Sequence, residues 1–153
     1  MDTNHAQLMT TFPLFKGFTE NGTKRLLDTG EVRQHAPAEV LLQEGDPAEF
    51  VLLVLTGKLE VFVERQGKDL VLTEAGPGAI LGELAVLCGI PRSASVRAKD
   101  ASTTLKWDDD DFRSLMLRDH SLSQRVFSGA LRTLVDKERS LIDSLVAAQK
   151  SAQ

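Results

Sequence analysis

The pattern of apolar and polar residues divides the chain into three regions. Residues 3–27 have helical spacing, with three phenylalanines that we expect to pack on the body of the protein. From about residue 31 the helical spacing gives way to short strands. Residues 50–55 are an unbroken apolar run and residues 58–63 alternate, so the two segments predict a hairpin. Further short strands between glycine and proline turns continue to residue 107, which favours a β-sandwich or β-roll.

The third region, from residue 108 onwards, returns to helical spacing. The four aspartates at 108–111 lack the spaced oxygens and the turn glycine of a calcium loop, so we expect them to cap a helix. A long helix is predicted from about residue 121 to 148, with a frayed end at 149–153. The sequence thus predicts one domain, 1–153, divided into helices in 1–30, a β-roll in 31–107 and C-terminal helices in 108–148.

The predicted long helix carries two apolar stripes. The first approximates a seven-residue repeat that Glu138 interrupts, and the second runs beside it. The stripes consist of Phe127, Leu131, Leu134, Leu141, Leu145 and Ala148, and of Val135, Ile142 and Val146. Two arrangements remain open: one stripe covers the β-domain while the other meets a second copy in a homodimer, or the helix packs entirely within its own chain.

Composition narrows the class of protein. A chain of 153 residues with 42% hydrophobic and 26% charged residues fits one globular domain. The net charge of -4 argues against a protein that holds duplex nucleic acid. No signal peptide and no apolar run near the roughly 20 residues of a membrane span is evident, so we expect a cytoplasmic protein without a membrane anchor. The single cysteine, Cys88, is interpreted as a small apolar filler.

The sequence contains no recognisable catalytic set. The three histidines, His5, His35 and His120, are scattered rather than spaced as metal ligands, and we expect them to be surface or structural residues. No nucleophile with a base and an orienting group is recognisable. We therefore expect a protein that is not an enzyme and that needs no metal or cofactor.

Residues 80–96 carry the best candidate chemistry. Gly82 permits close approach to a ligand, and the residues after it favour a short helix whose first N–H groups can hold an anion. Arg92 follows closely enough to fold back over that helix start, and its guanidinium can bind two phosphate oxygens. Glu83 offers an acceptor for a sugar hydroxyl. A plain Glu83–Arg92 salt bridge across the loop explains the same residues, and the residues alone leave both interpretations open.

The same segment closely resembles the phosphate-binding cassette of the cyclic nucleotide-binding domain family. The resemblance lies in Gly82-Glu83-Leu84-Ala85 and Arg92-Ser93-Ala94, and it extends to residues 41–46 and 53–61. It covers roughly residues 14–145. The resemblance implies a mainly β fold, an eight-stranded β-roll of jelly-roll type with N-terminal helices and a long C-terminal helix.

The resemblance also implies the roles of individual residues. It assigns the ligand to Gly82, Glu83, Leu84, Ala85, Arg92, Ser93 and Ala94. In that assignment Glu83 accepts from the ribose 2′-hydroxyl and Arg92 pairs with the cyclic phosphate. The N–H groups of Leu84 and Ala85 complete the anion cradle, and Ser93 adds a hydroxyl.

Family members often read the base with their C-terminal helix. By rough register the corresponding residues are Leu134, Lys137, Glu138 and Leu141. Lys137 and Glu138 stand where some members have an adenine-reading Thr-Ser pair, so the base is open between cyclic AMP and cyclic GMP, and we favour cyclic AMP.

The sequence therefore predicts a stand-alone sensor or regulatory domain that signals through its C-terminal helix to another protein. Some family members continue into a DNA-binding helix-turn-helix. Because this chain ends at Gln153, we expect neither direct DNA binding nor a catalytic module. The alternative is a degenerate member that serves as a dimerisation or docking scaffold without nucleotide. A third hypothesis is a regulator whose effector half lies on another polypeptide.

Overall fold

Two four-stranded antiparallel sheets face each other in a computed structural model that describes residues 2–152. The strands are β1 (Glu31–His35), β2 (Val40–Leu42), β3 (Phe50–Thr56), β4 (Leu59–Arg65), β5 (Lys68–Ala75), β6 (Ile80–Leu81), β7 (Ser95–Ala98) and β8 (Ser102–Asp108). The helices are α1 (Asp2–Met9), α2 (Glu20–Thr29), α3 (Glu83–Cys88), α4 (Asp109–Arg118) and α5 (His120–Ala152), with a 3₁₀ turn at Pro13–Phe15. The first sheet has the order β1-β8-β3-β6 and the second β2-β7-β4-β5. The predicted eight-stranded β-roll with flanking helices is confirmed.

The central strand β3 explains the unbroken apolar run. Successive side chains of a strand point to opposite faces. Val51, Leu53 and Leu55 pack on the helices, whereas Leu52 and Val54 pack against the second sheet. Because both faces of β3 are covered, its five residues from Val51 to Leu55 are at most 3% exposed. The predicted hairpin between β3 and β4 is wrong: β3 pairs with β8 and β6 in the first sheet, whereas β4 pairs with β7 and β5 in the second, so the short turn between them carries the chain from one sheet to the other.

The N-terminal helices cover the outer face of the first sheet. Phe12 and Phe15 are buried there, as their spacing predicts. The indole N–H of Trp107 in β8 donates to the carbonyl of Leu26 in α2 at 2.9 Å, which fixes α2 on the sheet. Thr19 caps α2 by accepting from the N–H of Gly22 at 3.0 Å.

The acidic run opens α4, as predicted, but not through its first residue. Asp108 stands at the N-cap position without a side-chain hydrogen bond, while Asp109 accepts from the N–H of Asp110 at 2.9 Å. Among the described side chains, those of residues 5–152, no group of acidic, histidine or cysteine residues could hold a metal ion.

The long helix α5 differs from its prediction in two respects. It continues to Ala152, so residues 149–152 are helical rather than frayed, while Gln153 lies outside the described residues. Its contact with its own chain uses Leu122, Val126 and Ala130, a stripe that the predicted repeat did not include. The side chains from residue 131 to 152 are all exposed. The chain itself therefore covers only the beginning of the helix.

Candidate functional site

A cavity of about 540 Å³ opens between α3, the second sheet and one face of α5. Its walls include all seven ligand residues that the sequence predicts: Gly82, Glu83, Leu84, Ala85, Arg92, Ser93 and Ala94. Of the four predicted base contacts, only Lys137 lines the cavity. Leu134, Glu138 and Leu141 do not line it. Thr133, which the sequence reasoning missed, lines the cavity one helical turn before Lys137.

Arg92 is held in place by two backbone carbonyls. Arg92 is only 4% exposed. Its Nη1 donates to the carbonyl of Gly82 at 3.0 Å, and its Nη2 donates to the carbonyl of Phe50 at 2.5 Å. The guanidinium also lies 5.0 Å from the centre of the Phe50 ring. Because a guanidinium carries five N–H donors, these two bonds leave three N–H groups that bind no carbonyl, on a side chain that lines the cavity.

The backbone of Arg92 is fixed by the loop before β3. Its N–H donates to the carbonyl of Asp46 at 2.9 Å, and its carbonyl accepts from Gly45 at 2.9 Å. Burial lowers the pKa of the guanidinium, while the carboxylates of Asp46, Glu49 and Glu83 act in the opposite direction. The side chain is thus a preorganised cation at the cavity wall.

The alternative of a simple Glu83–Arg92 salt bridge is wrong for this structure. Within residues 2–152 the two side chains form no ion pair, because the guanidinium is engaged by the carbonyls of Gly82 and Phe50. Both side chains line the same cavity instead. Phe50, the second anchor of Arg92, could not be found from spacing, because it lies 42 residues earlier in the chain.

The short helix α3 presents backbone donors to the cavity. Gly82 precedes it in the left-handed conformation, with φ of 82°. Leu84 and Ala85 lie in the first turn, where N–H groups have no carbonyl of their own helix to bind. These two donors and Arg92 line one cavity and can hold one oxyanion together.

Glu83 is a partly buried carboxyl at the start of α3. Burial raises its pKa above the usual range, although its own backbone N–H and the charges of Lys137 and Arg92 act in the opposite direction. Lys137 is therefore close enough to influence Glu83 across the cavity. A carboxyl that is desolvated without a full partner is suited to accept a hydrogen bond from a ligand hydroxyl.

Replacing Glu83 with glutamine should stabilise the ligand-free protein at neutral pH. Because the folded-state pKa is raised, the ionised carboxylate costs stability, and the free energy of unfolding falls as the pH rises from the ordinary glutamate value through the raised one. Glu83→Gln removes this cost, so we expect a higher Tm than wild type at pH 7. The difference should shrink as the pH falls below the ordinary glutamate pKa.

Thermal unfolding of both proteins between pH 4 and pH 8 checks this expectation, with Glu64→Gln as the matched control. Glu64 is an exposed carboxylate in β4 and has no ion pair within the described part of the chain. Its replacement should leave the Tm unchanged. A Glu83→Gln variant that melts at or below the wild-type temperature at pH 7 contradicts the argument.

Cys88 differs from its prediction as an apolar filler. The residue is exposed in the last turn of α3. The turn ends at Gly89, and the hydrophobic contacts of α3 are made by Ala85 and Val86, which are buried. A six-residue helix presents only one buried face, and Cys88 does not lie on that face.

The comparisons with known proteins agree with this geometry. The family model described as "Cyclic nucleotide-binding domain" matches residues 32–119, and the chain belongs to that family. A cAMP-dependent protein kinase regulatory subunit of Blastocladiella emersonii is 29% identical over 119 residues, which are 77% of this chain and 30% of that protein. Potassium channel KAT3 of Arabidopsis thaliana is 26% identical over 114 residues, 74% of this chain and 17% of the channel. The chain therefore spans less than a third of the length of these relatives.

Solved structures show the same fold. The catabolite activator protein of Thermus thermophilus superposes with a TM-score of 0.76 at 25% identity, over 84% of this chain and 61% of that one. The regulatory domain of Toxoplasma gondii PKA, crystallised with cAMP, superposes with a TM-score of 0.63 at 25% identity, over 74% of this chain and 43% of that one. Among the described helices, none is both long and apolar enough to cross a membrane.

Proposed function

We propose that the chain binds a cyclic mononucleotide in the 540 Å³ cavity, with cyclic AMP favoured over cyclic GMP, and acts as a regulatory rather than a catalytic domain. One observation carries the proposal. The guanidinium of Arg92 is buried and uses only two of its N–H groups within the protein. Arg92 and the first turn of α3 line the same cavity. Two kinds of donor at one place suit a singly charged cyclic phosphate.

The ligand's parts fit the cavity in a definite order. The cyclic phosphate lies between Arg92 and the N–H groups of Leu84 and Ala85. The ribose hydroxyl donates to Glu83. This hydrogen bond would offset the cost of desolvating the carboxyl, which burial imposes in the ligand-free protein. The base then extends toward α5, where Thr133 and Lys137 line the cavity.

The preference for cyclic AMP has weaker support than the phosphate site. Several relatives are named for it, among them kinase regulatory subunits and a regulatory domain crystallised with cAMP. On the α5 wall the hydroxyl of Thr133 donates to the carbonyl of Gly129 at 3.0 Å and keeps its oxygen as an acceptor, whereas Lys137 only donates. Because Lys137 also acts on Glu83, its charge is partly used inside the protein.

Isothermal titration with cyclic AMP, cyclic GMP and 5′-AMP tests the proposed function directly. We expect saturable one-site binding of cyclic AMP, weaker binding of cyclic GMP and no comparable binding of 5′-AMP, whose doubly charged open phosphate does not match the cradle. Tighter binding of cyclic GMP would overturn the base preference alone. A folded protein that binds neither cyclic nucleotide would refute the proposal and leave the dimerisation or docking scaffold.

The output of the domain is proposed to pass through α5. Lys137 and Thr133 place this helix at the cavity, while its later residues remain exposed. If α5 can take two positions and the ligand binds one of them more tightly, ligand binding shifts the population toward that position. Phe127, Leu134 and Leu141, which are seven residues apart, are 44%, 46% and 66% exposed and form a seam for a second copy.

Charged substitutions in that seam should abolish the homodimer. In the seven-residue pattern Leu141 and Leu145 occupy neighbouring core positions, and both are 66% exposed in the single chain. We expect the wild type to sediment as a dimer at micromolar concentration and the double variant Leu141→Lys, Leu145→Lys to sediment as a folded monomer. Ser140→Lys, off the seam, is the control and should remain dimeric. A monomeric wild type at the highest soluble concentration contradicts the dimer.

A further inference from the structure

A second cavity, of about 170 Å³, lies between the inner face of the first sheet and β2. Two neighbouring strands supply its polar wall. Arg33 and His35 are two residues apart on β1, and Thr104 and Lys106 are two residues apart on β8. Because Arg33 pairs directly with Thr104 in the antiparallel register, the four side chains share one face. This cavity takes no part in the proposed nucleotide site.

The polar wall has an excess of positive charge. Its carboxylate, Glu39, is engaged by Nδ1 of His35, and this hydrogen bond lowers the pKa of Glu39. Since a carboxylate only accepts, Nδ1 of His35 donates. Nε2 of the same ring forms a hydrogen bond with the hydroxyl of Thr104 at 2.8 Å. Glu39, His35 and Thr104 thus form a closed chain, which leaves Arg33 and Lys106 to act on the cavity.

Lys106 has no carboxylate partner among the described side chains of residues 5–152. Its ammonium lies 4.5 Å from the centre of the Phe50 ring, which attracts a cation but does not neutralise it. Arg33 is bound to Glu31 at 3.1 Å, but both side chains are about half exposed or more, and exposed pairs of this kind are weak. The partly buried ammonium of Lys106 and the guanidinium of Arg33 line the same cavity, and this arrangement favours an anion as their neighbour.

We propose that this cavity binds a small tetrahedral oxyanion of the inorganic phosphate class, held by Lys106 and Arg33. Three ammonium protons of Lys106 and the N–H groups of Arg33 that do not bind Glu31 supply charge-assisted donors to such an oxyanion. The volume of about 170 Å³ corresponds to only five or six water molecules, at about 30 Å³ each. It accommodates a phosphate, and it is about a third of the volume of the nucleotide cavity.

The site has to be distinguished from the Arg92 cradle, which can also hold phosphate. Phe50 contacts both cations, with Arg92 5.0 Å and Lys106 4.5 Å from its ring centre. The two charges are therefore at most about 10 Å apart, near one Debye length at 0.1 M salt. A bulk binding measurement would merge the two sites, and a residue-resolved measurement is required.

Nuclear magnetic resonance of the ¹⁵N-labelled chain, titrated with inorganic phosphate at constant ionic strength, separates the sites. We expect saturable shifts of the amides of Arg33, Thr104 and Lys106. In Lys106→Gln the same amides should respond with at least ~10-fold weaker affinity, since one charge-assisted contact is lost. Lys24→Gln, which removes an exposed lysine of α2 without an ion pair in the described chain, should bind as the wild type does.

Three results would overturn the second site: shifts that do not saturate, shifts confined to Leu84 and Ala85, or an unchanged affinity in Lys106→Gln. A parallel titration with Arg33→Gln guards against a local folding defect, because it removes the other cation from a different strand. The experiment needs no cyclic nucleotide. Failure of cyclic AMP to bind therefore leaves the phosphate result intact, and the reverse also holds.

Discussion

Replacing Arg92 with alanine is expected to weaken cyclic AMP binding at least about a hundredfold. The guanidinium lines the cavity and keeps three N–H groups beyond the two that bind carbonyls, and a hydrogen bond to a charged group contributes about 1.5–3 kcal/mol. The loss of two such bonds amounts to about 3 kcal/mol or more, which is two decades in Kd. Isothermal titration of the variant with cyclic AMP measures the loss.

The same substitution also affects folding, which has to be measured separately. Arg92→Ala leaves the carbonyls of Gly82 and Phe50 without their donor, and an unsatisfied buried acceptor costs about 1–3 kcal/mol. We expect the Tm to fall by several degrees while the protein remains folded at 20 °C. The conservative variant Arg92→Lys retains a charge but lacks the fork, so it should bind with intermediate affinity. Wild-type affinity in a folded Arg92→Ala protein would remove Arg92 from the site.

The sequence was sufficient to predict the strands of the β-roll because their apolar pattern agrees with their burial, but it did not predict how they pair, since β3 and β4 belong to different sheets. The apolar run of β3 is buried on both faces, and glycine and proline turns separate the strands where the pattern places them. The position of the phosphate-binding cassette could also be predicted, since Gly82, Glu83 and Arg92 lie within eleven consecutive residues and line one cavity. Short sequence separation is what made this part of the site predictable.

The α5 wall of the cavity was not predictable in detail because its helical phase depends on tertiary packing. Four residues were predicted as base contacts, and only Lys137 faces the cavity. The phase is set by Leu122, Val126 and Ala130, which pack the helix on its own chain. Residues 133 and 137 then lie on one face, one turn apart, while Leu134 and Leu141 turn outward.

Hydrogen-bond partners that lie far apart along the chain could not be predicted from the sequence either. Phe50 holds Arg92 through its carbonyl, and a carbonyl carries no residue-specific signal that spacing could detect. The same applies to Arg113 of α4, which donates to the carbonyl of Val86 in α3. Such contacts connect elements distant in sequence, and they decide how firmly the cavity wall is held.

A glycine-to-alanine substitution at position 82 should separate binding from folding. A Cβ at Gly82 would lie 2.4 Å from Nη1 of Arg92, and the backbone has φ of 82°, which costs a residue with a side chain about 1–2 kcal/mol. The end of an arginine side chain can move, so the fold tolerates the clash. The movement, however, takes the guanidinium away from the carbonyl of Gly82 and from the phosphate position.

Gly67→Ala is the matched control for the backbone cost. Gly67 lies in the turn between β4 and β5 with φ of 75°, and nothing lies within 4 Å of its would-be Cβ. Both variants should therefore lose a similar free energy of unfolding, about 1–2 kcal/mol in chemical denaturation. Only Gly82→Ala should also lose cyclic AMP affinity, by about tenfold or more, because only there does the new methyl group displace Arg92. Equal affinities in the two variants would mean that the position of the guanidinium does not determine binding.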